Sequence, residues 1–342
     1  MDSEKKYILV TGGAGYIGSH TVVALIEKGY TPIILDDFRN AQEDVVERIE
    51  KVVNEKVRCY KFACQDEQAL DELFQRYQFW GVIHFAADKA VGESVENPLK
   101  YFENNIGGLI SVLKMMERHK VLRLVISSSC TVYGEPEQIP VTEDSPLSYA
   151  SPYGFTKLMN EQMLSQFFPA HSSYQFVLLR YFNPIGAHAS GLLGEEPQGV
   201  PTNLLPYLTQ TAIGKREVLV VHGDDYNTVD GTCIRDYIHV VDLAEAHVAS
   251  LDFIQKKADS SVFEVINIGT GKGTSVKEMI TCFEAACGKP LNWKVGPRRS
   301  GDVPEIYAKV DKAQECLNWK ARLSVEEAIK SAWNYEQKRL NK

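Results

Sequence analysis

A tyrosine and a lysine four residues apart, Tyr153 and Lys157 in Ser151-Pro152-Tyr153-Gly154-Phe155-Thr156-Lys157, are the residues best placed by type to do chemistry. Residues i and i+4 share one face of a helix, so this spacing sets an ammonium beside a phenol. A free phenol titrates near pH ~10, and a nearby cation favours the phenolate. The pair can therefore serve as a proton acceptor and donor. By itself the spacing is common, and its weight depends on what precedes it in the chain.

What precedes it is a phosphate-binding signature. The apolar run Tyr7-Ile8-Leu9-Val10 leads into Thr11-Gly12-Gly13-Ala14-Gly15-Tyr16-Ile17-Gly18, and a helix-compatible stretch follows to Lys28. Gly13, Gly15 and Gly18 fit G-x-G-x-x-G, in which glycines allow a tight turn and let backbone approach a pyrophosphate at a helix N-terminus. A second strand, Thr31 to Leu35, ends in Asp36, close to the ~20-residue offset at which a carboxylate accepts from ribose hydroxyls. A carboxylate there repels a 2′-phosphate, which selects NAD over NADP; Arg39 nearby is the feature that would favour NADP.

The elements that must position these residues alternate. Strands are expected at Val57–Phe62, Gly81–Ala87, Leu122–Ile126 and Gln175–Tyr181, with helices around Gln68–Tyr77, over Pro98–His119 and from Tyr153 onward. This alternation predicts an α/β fold with a doubly wound parallel sheet of the Rossmann type. Ser127, Ser128 and Ser129 follow the fifth strand, at the carboxyl end where such sheets bind ligands. His84, inside an apolar run, reads as a core histidine. Beyond residue 182 the pattern loosens: 188–203 is rich in Gly, Pro and Glu, and shorter elements include a helix from Leu204, a strand Val218–His222, Ile234–Val240, and helices near Asp242–Ile254, Ser275–Ala286 and Ser324–Lys338. The expected division is a dinucleotide-binding domain over 1–182, to which a segment near 235–255 returns, and a smaller mixed α/β substrate domain over 183–342.

Bulk composition narrows the partners. The 342 residues, 44% hydrophobic and 24% charged, suit an ordinary globular protein of about two domains. A net charge of −8 disfavours nucleic acid and anionic membrane surfaces, so an anionic ligand needs local cations. The N-terminus lacks an apolar signal core, and no apolar run approaches the ~18 residues of a membrane span. Seven scattered cysteines without a C-x-x-C read as reduced thiols in a cytoplasmic protein, with neither a disulfide frame nor a metal site.

The glycine turn, Asp36, a serine after the fifth strand and Tyr153-x-x-x-Lys157 together resemble the extended short-chain dehydrogenase/reductase superfamily. Within it the chain is similar to the UDP-galactose 4-epimerases, also called UDP-glucose 4-epimerases. The likeness rests on Thr11–His20, Lys89–Ser94, Tyr153–Lys157, Leu179–Ala187, Pro197–Pro201, Arg235–Val240 and Arg298–Asp302, spread nearly end to end. It implies an NAD-dependent isomerase of galactose metabolism that inverts C4 of UDP-galactose and UDP-glucose through a 4-keto sugar and transient NADH. It also implies roles: Tyr153 as acid/base, Lys157 lowering its pKa, and Ser129 bonding the 4-oxygen with Thr131 beside it. Cofactor contacts are implied for Gly12, Gly15, Tyr16, Ile17, Gly18, Asp36, Asp37, Lys89, Asn104, Tyr181 and Phe182, and contacts to the UDP-sugar for Asn183, Asn203, Leu204, His222, Arg235, Arg299, Asp302 and Ile306. Two long helices, Pro98–His119 and the one starting near Tyr153, resemble the pair that forms a four-helix contact in homodimeric relatives.

Three positions depart from the family pattern. Cys64 stands where an adenine-contacting aspartate is usual, with Asp66 as the candidate replacement. His222 stands where an aromatic ring usually stacks on uracil. Ile306 stands where size is linked to admitting N-acetylated sugars, and its intermediate bulk leaves UDP-N-acetyl sugars open as substrates. Two other functions compete. A sugar-nucleotide 4,6-dehydratase needs a further acid/base pair just after the serines, and Cys130-Thr131-Val132 contains no carboxylate. A non-catalytic NAD-sensing regulator would be expected to lack the Tyr153/Lys157 pair.

Overall fold

The computed structural model describes residues 5–340 except Asp259 and Ser300; Ser300, inside the Arg298–Asp302 string, and the first four residues of the N-terminal reading lie outside the described residues. The strands, in chain order, are β1 (Tyr7–Thr11), β2 (Thr31–Leu35), β3 (Arg58–Tyr60), β4 (Phe79–His84), β5 (Arg123–Ser129), β6 (Gln175–Tyr181), β7 (Asn183–Ile185), β8 (Leu219–His222), β9 (Ile234–His239), β10 (Val262–Ile268), β11 (Gly273–Ser275), β12 (Trp293–Gly296) and β13 (Glu305–Ile306). Seven of them form one sheet in the order β10-β6-β5-β4-β1-β2-β3, parallel at every pairing. The order reverses between β1 and β4, and ligands of doubly wound sheets bind beyond the strand ends at such a switch point.

Successive strand residues point to opposite faces, and here both faces are apolar. Ile8, Val10, Ile34, Ile83, Val125 and Val177 join one buried cluster, while Leu9, Ile33, Leu35, Val82, Leu124 and Phe176 join another. The first is covered by the helices Tyr16–Glu27 and Val240–Lys256, the second by Glu67–Arg76 and Gly108–Arg118. The segment after residue 235 thus packs a helix onto the large sheet and then adds β10 at its edge, a strand with no expectation from the sequence pattern. A smaller assembly lies beyond: β11, β9 and β13 with β7 also on β9, a separate β8–β12 pair, and a third apolar cluster under the helices Leu204–Ala212, Val276–Cys287 and Val325–Leu340.

Two elements differ from expectation. The three serines belong to β5 itself, because its ladder to β6 runs through Ser127, Ser128 and Ser129, the last opposite Tyr181. The helix from Pro98 is not uniformly α: Pro98–Tyr101 and Gly108–Arg118 flank a π-helical turn, Phe102–Gly107.

Candidate active site

The helix carrying Tyr153 begins with good local chemistry. Ser151 caps it by accepting the Gly154 N–H at 3.1 Å, and Pro152 occupies the first turn, where no N–H is needed. The Tyr153 N–H donates to Ser94 Oγ at 3.1 Å, which ties the Lys89–Ser94 string to the same helix start. Thr156 donates to the Tyr153 carbonyl at 2.7 Å and accepts from Asn105 Nδ2 at 3.0 Å. Asn105 sits in the π turn with no solvent exposure, and its side chain also bonds the backbone N–H and carbonyl of Asp88. The turn thereby joins the end of β4 to the Tyr153 helix.

Inside the site, Lys157 is buried and its ammonium donates to the Ser127 carbonyl at 2.8 Å and to Ser127 Oγ at 3.0 Å. It lies 5.9 Å from the centre of the Tyr153 ring. Burial pulls Lys157 down to about 8, against the charge of Glu161. Burial pushes the Tyr153 phenol up to about 12, with the Ser129 side chain pulling the other way. The expected depression of Tyr153 by Lys157 is therefore absent from this arrangement: the ammonium is spent on Ser127, and the phenol is an acid at neutral pH. His84 is buried, bonds Thr11 Oγ1 at 2.8 Å, and is lowered to about 3 by burial, which keeps it neutral.

A cleft of about 370 Å³ runs from this pair across the ends of β1 and β2. Its walls include Gly12, Gly15, Tyr16, Ile17, Gly18, Asp36, Asp37, Lys89, Asn104 and Tyr181, together with Tyr153 and Lys157. The helix Tyr16–Glu27 has no side-chain cap, so its N-terminal N–H groups are left for an anion. A Cβ on Gly12 would strike the Ala86 backbone N at 2.7 Å, which is why backbone comes so close here. Asp36 accepts from the Ala14 and Phe38 N–H groups, both at 2.9 Å, and a carboxylate has about four acceptor sites, so capacity remains. Arg39 is paired to Asp37 at 2.6 Å. An uncapped helix end for a pyrophosphate and a half-buried carboxylate for a ribose fit NAD.

Other expected contacts are placed differently. Asp66 caps the helix Glu67–Arg76 by accepting from Ala69 N at 3.1 Å, and the cleft is lined by Cys64 and Gln65 in its place. Phe182 is buried with Val132, Leu158 and Ile306 and is not part of the cleft wall. Tyr16 donates to the Gly186 carbonyl at 2.7 Å, and Tyr181 bonds His247 at 2.5 Å.

Of the residues expected for the nucleotide sugar, Asn183, Arg235, Arg299, Asp302 and Ile306 gather around β9 and β13, while Asn203, Leu204 and His222 stand on other elements. Ile306 pairs with Arg235 in register and packs on Val132, one residue beyond Thr131. Arg235 lies 3.8 Å from Asp302, and Arg299 reaches the same carboxylate at 2.7 Å. Asn183 pairs with Tyr237 across β7 and β9, and Leu204 opens the helix Leu204–Ala212, which Asn203 precedes. His222 is exposed at the end of β8, 3.3 Å from the Pro297 carbonyl. Ser129 accepts from Thr131 N at 3.2 Å, and Thr131 Oγ1 is buried without a partner.

Sequence reasoning missed two carboxylates. Glu195 accepts from both Lys89 (3.0 Å) and Asn203 (2.6 Å), joining a residue expected at the cofactor to one expected at the sugar. Asp88 accepts from Asn104 and Asn40 at 2.9 and 3.1 Å. Asp88 had a signal, an acid just past a strand of the switch point; Glu195 sat in a Gly- and Pro-rich loop without periodicity. Among the described residues, no group of His, Cys, Asp and Glu is arranged to hold a metal ion.

Comparison with known proteins agrees with this geometry. Residues 9–332 match the family model described as GDP-mannose 4,6 dehydratase. The chain is 47% identical over 329 residues to a UDP-glucose 4-epimerase of Dictyostelium discoideum, covering 96% of this chain and 95% of that one. It superimposes on the UDP-glucose 4-epimerase of Bifidobacterium longum, crystallised with NAD+ and UDP, with a TM-score of 0.94 and 44% identity, over 98% of this chain and 99% of the other. The corresponding enzyme of Stenotrophomonas maltophila, with bound NAD and a formylated UDP-arabinopyranose, gives 0.95 and 41%, again over 98% and 99%. With relatives this similar over nearly its whole length, the chain belongs to the UDP-glucose 4-epimerase family.

Proposed function

We propose that this protein interconverts UDP-galactose and UDP-glucose by inverting the sugar C4, as an NAD-dependent isomerase in galactose metabolism. The observation that carries the reading is that Tyr153 and Lys157 line one cleft together with the glycine turn and Asp36, the Ser129 side chain bonding the Tyr153 phenol, with no carboxylate between Ser129 and Val132. The last point sets aside dehydration, which needs a further acid and base. It agrees with epimerases, rather than dehydratases, being the near relatives.

The C–H at C4 is not acidic, so inversion by simple proton exchange is closed and C4 must pass through a ketone. NAD, when bound, supplies the hydride acceptor and donor for that passage and, in its oxidised form, a positive charge. Tyr153 takes the proton of the 4-hydroxyl and later returns it. Burial holds its phenol up near 12 and the Ser129 side chain draws it down, so cationic charge beside the ring would favour the basic form. Ser129 bonds the 4-oxygen, with Thr131 Oγ1 as a second free group beside it. Gly12, Gly15, Tyr16, Ile17, Gly18, Asp36, Asp37, Lys89, Asn104 and Tyr181 hold the cofactor, and Phe182 backs the sugar pocket.

On the other side, Arg235 and Arg299 supply the positive charge for the diphosphate that the acidic chain otherwise lacks. Asn183, Asn203, Leu204, His222 and Asp302 hold the uridine end, and Ile306 borders the sugar. UDP-N-acetyl sugars are a second substrate class governed by that side chain. We assign 1–182 to the cofactor domain and 183–342 to the sugar domain, with the returning segment near 235–255 counted to the first. We further assign the protein to the cytoplasm, as a homodimer formed through the Pro98 and Tyr153 helices. Val95, Leu99 and Ile110 are large apolar side chains left exposed on or next to that helix pair, Leu99 at 76%.

The test is direct. Purified protein incubated with UDP-galactose and no added cofactor is expected to yield UDP-glucose, and denaturing it is expected to release NAD. No conversion, or NADP in the extract, would overturn the reading.

A further inference from the structure

One turn beyond Lys157 on the same helix stands Glu161, buried and facing Arg180 of β6. Arg180 grips it with both faces of its fork, Nε to Oε1 at 3.0 Å and Nη2 to Oε2 at 2.7 Å. Ser128 Oγ donates to the same Oε1 in a short contact. Its neighbour Ser127 is the residue that holds Lys157 through carbonyl and hydroxyl together, and the next residue is Ser129. Two contacts, Lys157 to Ser127 and Glu161 to Ser128, therefore lock one helix to one strand end next to Tyr153 and Ser129. The other donor of Arg180 bonds Tyr133 Oη at 2.9 Å and the Glu143 carbonyl at 3.0 Å, which leaves no freedom for the guanidinium to move.

We propose that Glu161, clamped by Arg180, is a positioning residue for the reaction that sets the place and the electrostatic surroundings of Lys157. The helix spacing Tyr153, Lys157, Glu161 puts acid/base, cation and carboxylate on one helical stripe. The other titratable groups around the pair are His84 on β4, Cys130 and Tyr133 after β5 and Tyr181 on β6, with His247 bonded to Tyr181. Burial holds both histidines neutral and pushes Cys130, Tyr133 and Tyr181 upward, so these five are uncharged near neutrality. Glu161 remains the carboxylate whose field reaches Lys157, and Arg180 offsets part of that field. Burial favours the neutral amine; Glu161 opposes this.

Opposite ends of the pair should then act in opposite directions. Lys157 is active as the cation, so turnover is lost as pH rises through its titration. In Glu161→Gln the alkaline limb of kcat for UDP-galactose is expected to move down by about one unit, and in Arg180→Gln to move up. The KM for UDP-galactose should stay within about twofold, since neither residue belongs to the sugar side, and Glu161→Asp should restore the limb. The same shifts are expected in the Lys157 resonance of ε-carbon-labelled holoenzyme, identified by its loss in Lys157→Met. A merely structural pair would lower the melting temperature in both variants and leave both titrations where they are, and that result overturns the proposal. Should Glu161→Gln fail to fold, an upward shift in Arg180→Gln supports the proposal and an unmoved one defeats it. The inference rests on the Tyr153–Lys157 reading, and the two fail separately. Wild-type protein that leaves UDP-galactose unchanged defeats that reading, while an active wild type with unmoved variants defeats only this one.

Discussion

The two halves of the site are prepared for their ligands in different ways. The cofactor half is made of backbone: a glycine turn packed against Ala86, an uncapped helix end, and Asp36 fixed by two N–H groups. The sugar half is made of long side chains that hold one another. Arg235 and Arg299 share Asp302, Asn203 bonds Glu195, which Lys89 also reaches from the cofactor side, and Arg299 is 57% exposed. A backbone cradle loses little freedom when a ligand arrives. Side chains paired with each other must exchange partners, which favours easy release. The contrast suits the proposed reaction, in which the cofactor need not leave between turnovers and the sugar nucleotide must.

Ways to break this contrast range from large to small effects. Tyr153→Phe should lower kcat by about 10²–10⁴-fold, the usual range for a lost acid/base. The denatured variant should still release as much NAD as wild type, and loss of NAD would mean that the two halves are not separable. Arg235→Ala or Arg299→Ala removes a charged contact worth roughly 1.5–3 kcal/mol, so the KM for UDP-galactose should rise about 10–100-fold. Cofactor content again stays constant, as checked by extract absorbance. The smallest effect on turnover is expected from Ile306→Ala, which opens space in a buried cluster with Val132 and Phe182. It should raise the rate on UDP-N-acetylgalactosamine relative to UDP-galactose several-fold, at a stability cost of roughly 2–5 kcal/mol seen in thermal melts. An unchanged ratio would show that Ile306 does not border the acyl position.

The cofactor half was legible because its signals are local. Gly12 to Gly18 and Asp36 are fixed by the geometry of one βαβ unit, and Tyr153 and Lys157 by one helical turn. The strands of the seven-stranded sheet came through as apolar runs, except β10, whose Glu264 and Asn267 break the run, while the short strands β7, β11, β12 and β13 carry too few residues to show a pattern. Asp66 misled because an acid at a helix start is equally suited to capping, and capping is where the structure uses it. Glu161 was passed over since a carboxylate in a helix is ordinarily solvated, and its burial depends on Arg180, which is brought to it only by the β5–β6 pairing. Electrostatics was the least legible: Lys157 beside Tyr153 suggested a lowered phenol, and burial reversed it.

The π turn at Phe102–Gly107 carries a consequence about length rather than residue type. A π turn holds more residues than an α-helix would for the same advance, and such turns recur at functional sites. Here it presents Asn104 to Asp88 and Asn105 to Thr156 from adjacent positions. Removing any one residue between 102 and 107 would let the hydrogen-bond ladder become regular and would lose the offset that aims Asn104 and Asn105 at their different partners. The helix would be sounder and the cleft wall wrong. Part of the site is therefore written as an extra residue, which a scan by substitution passes over and a deletion exposes at once.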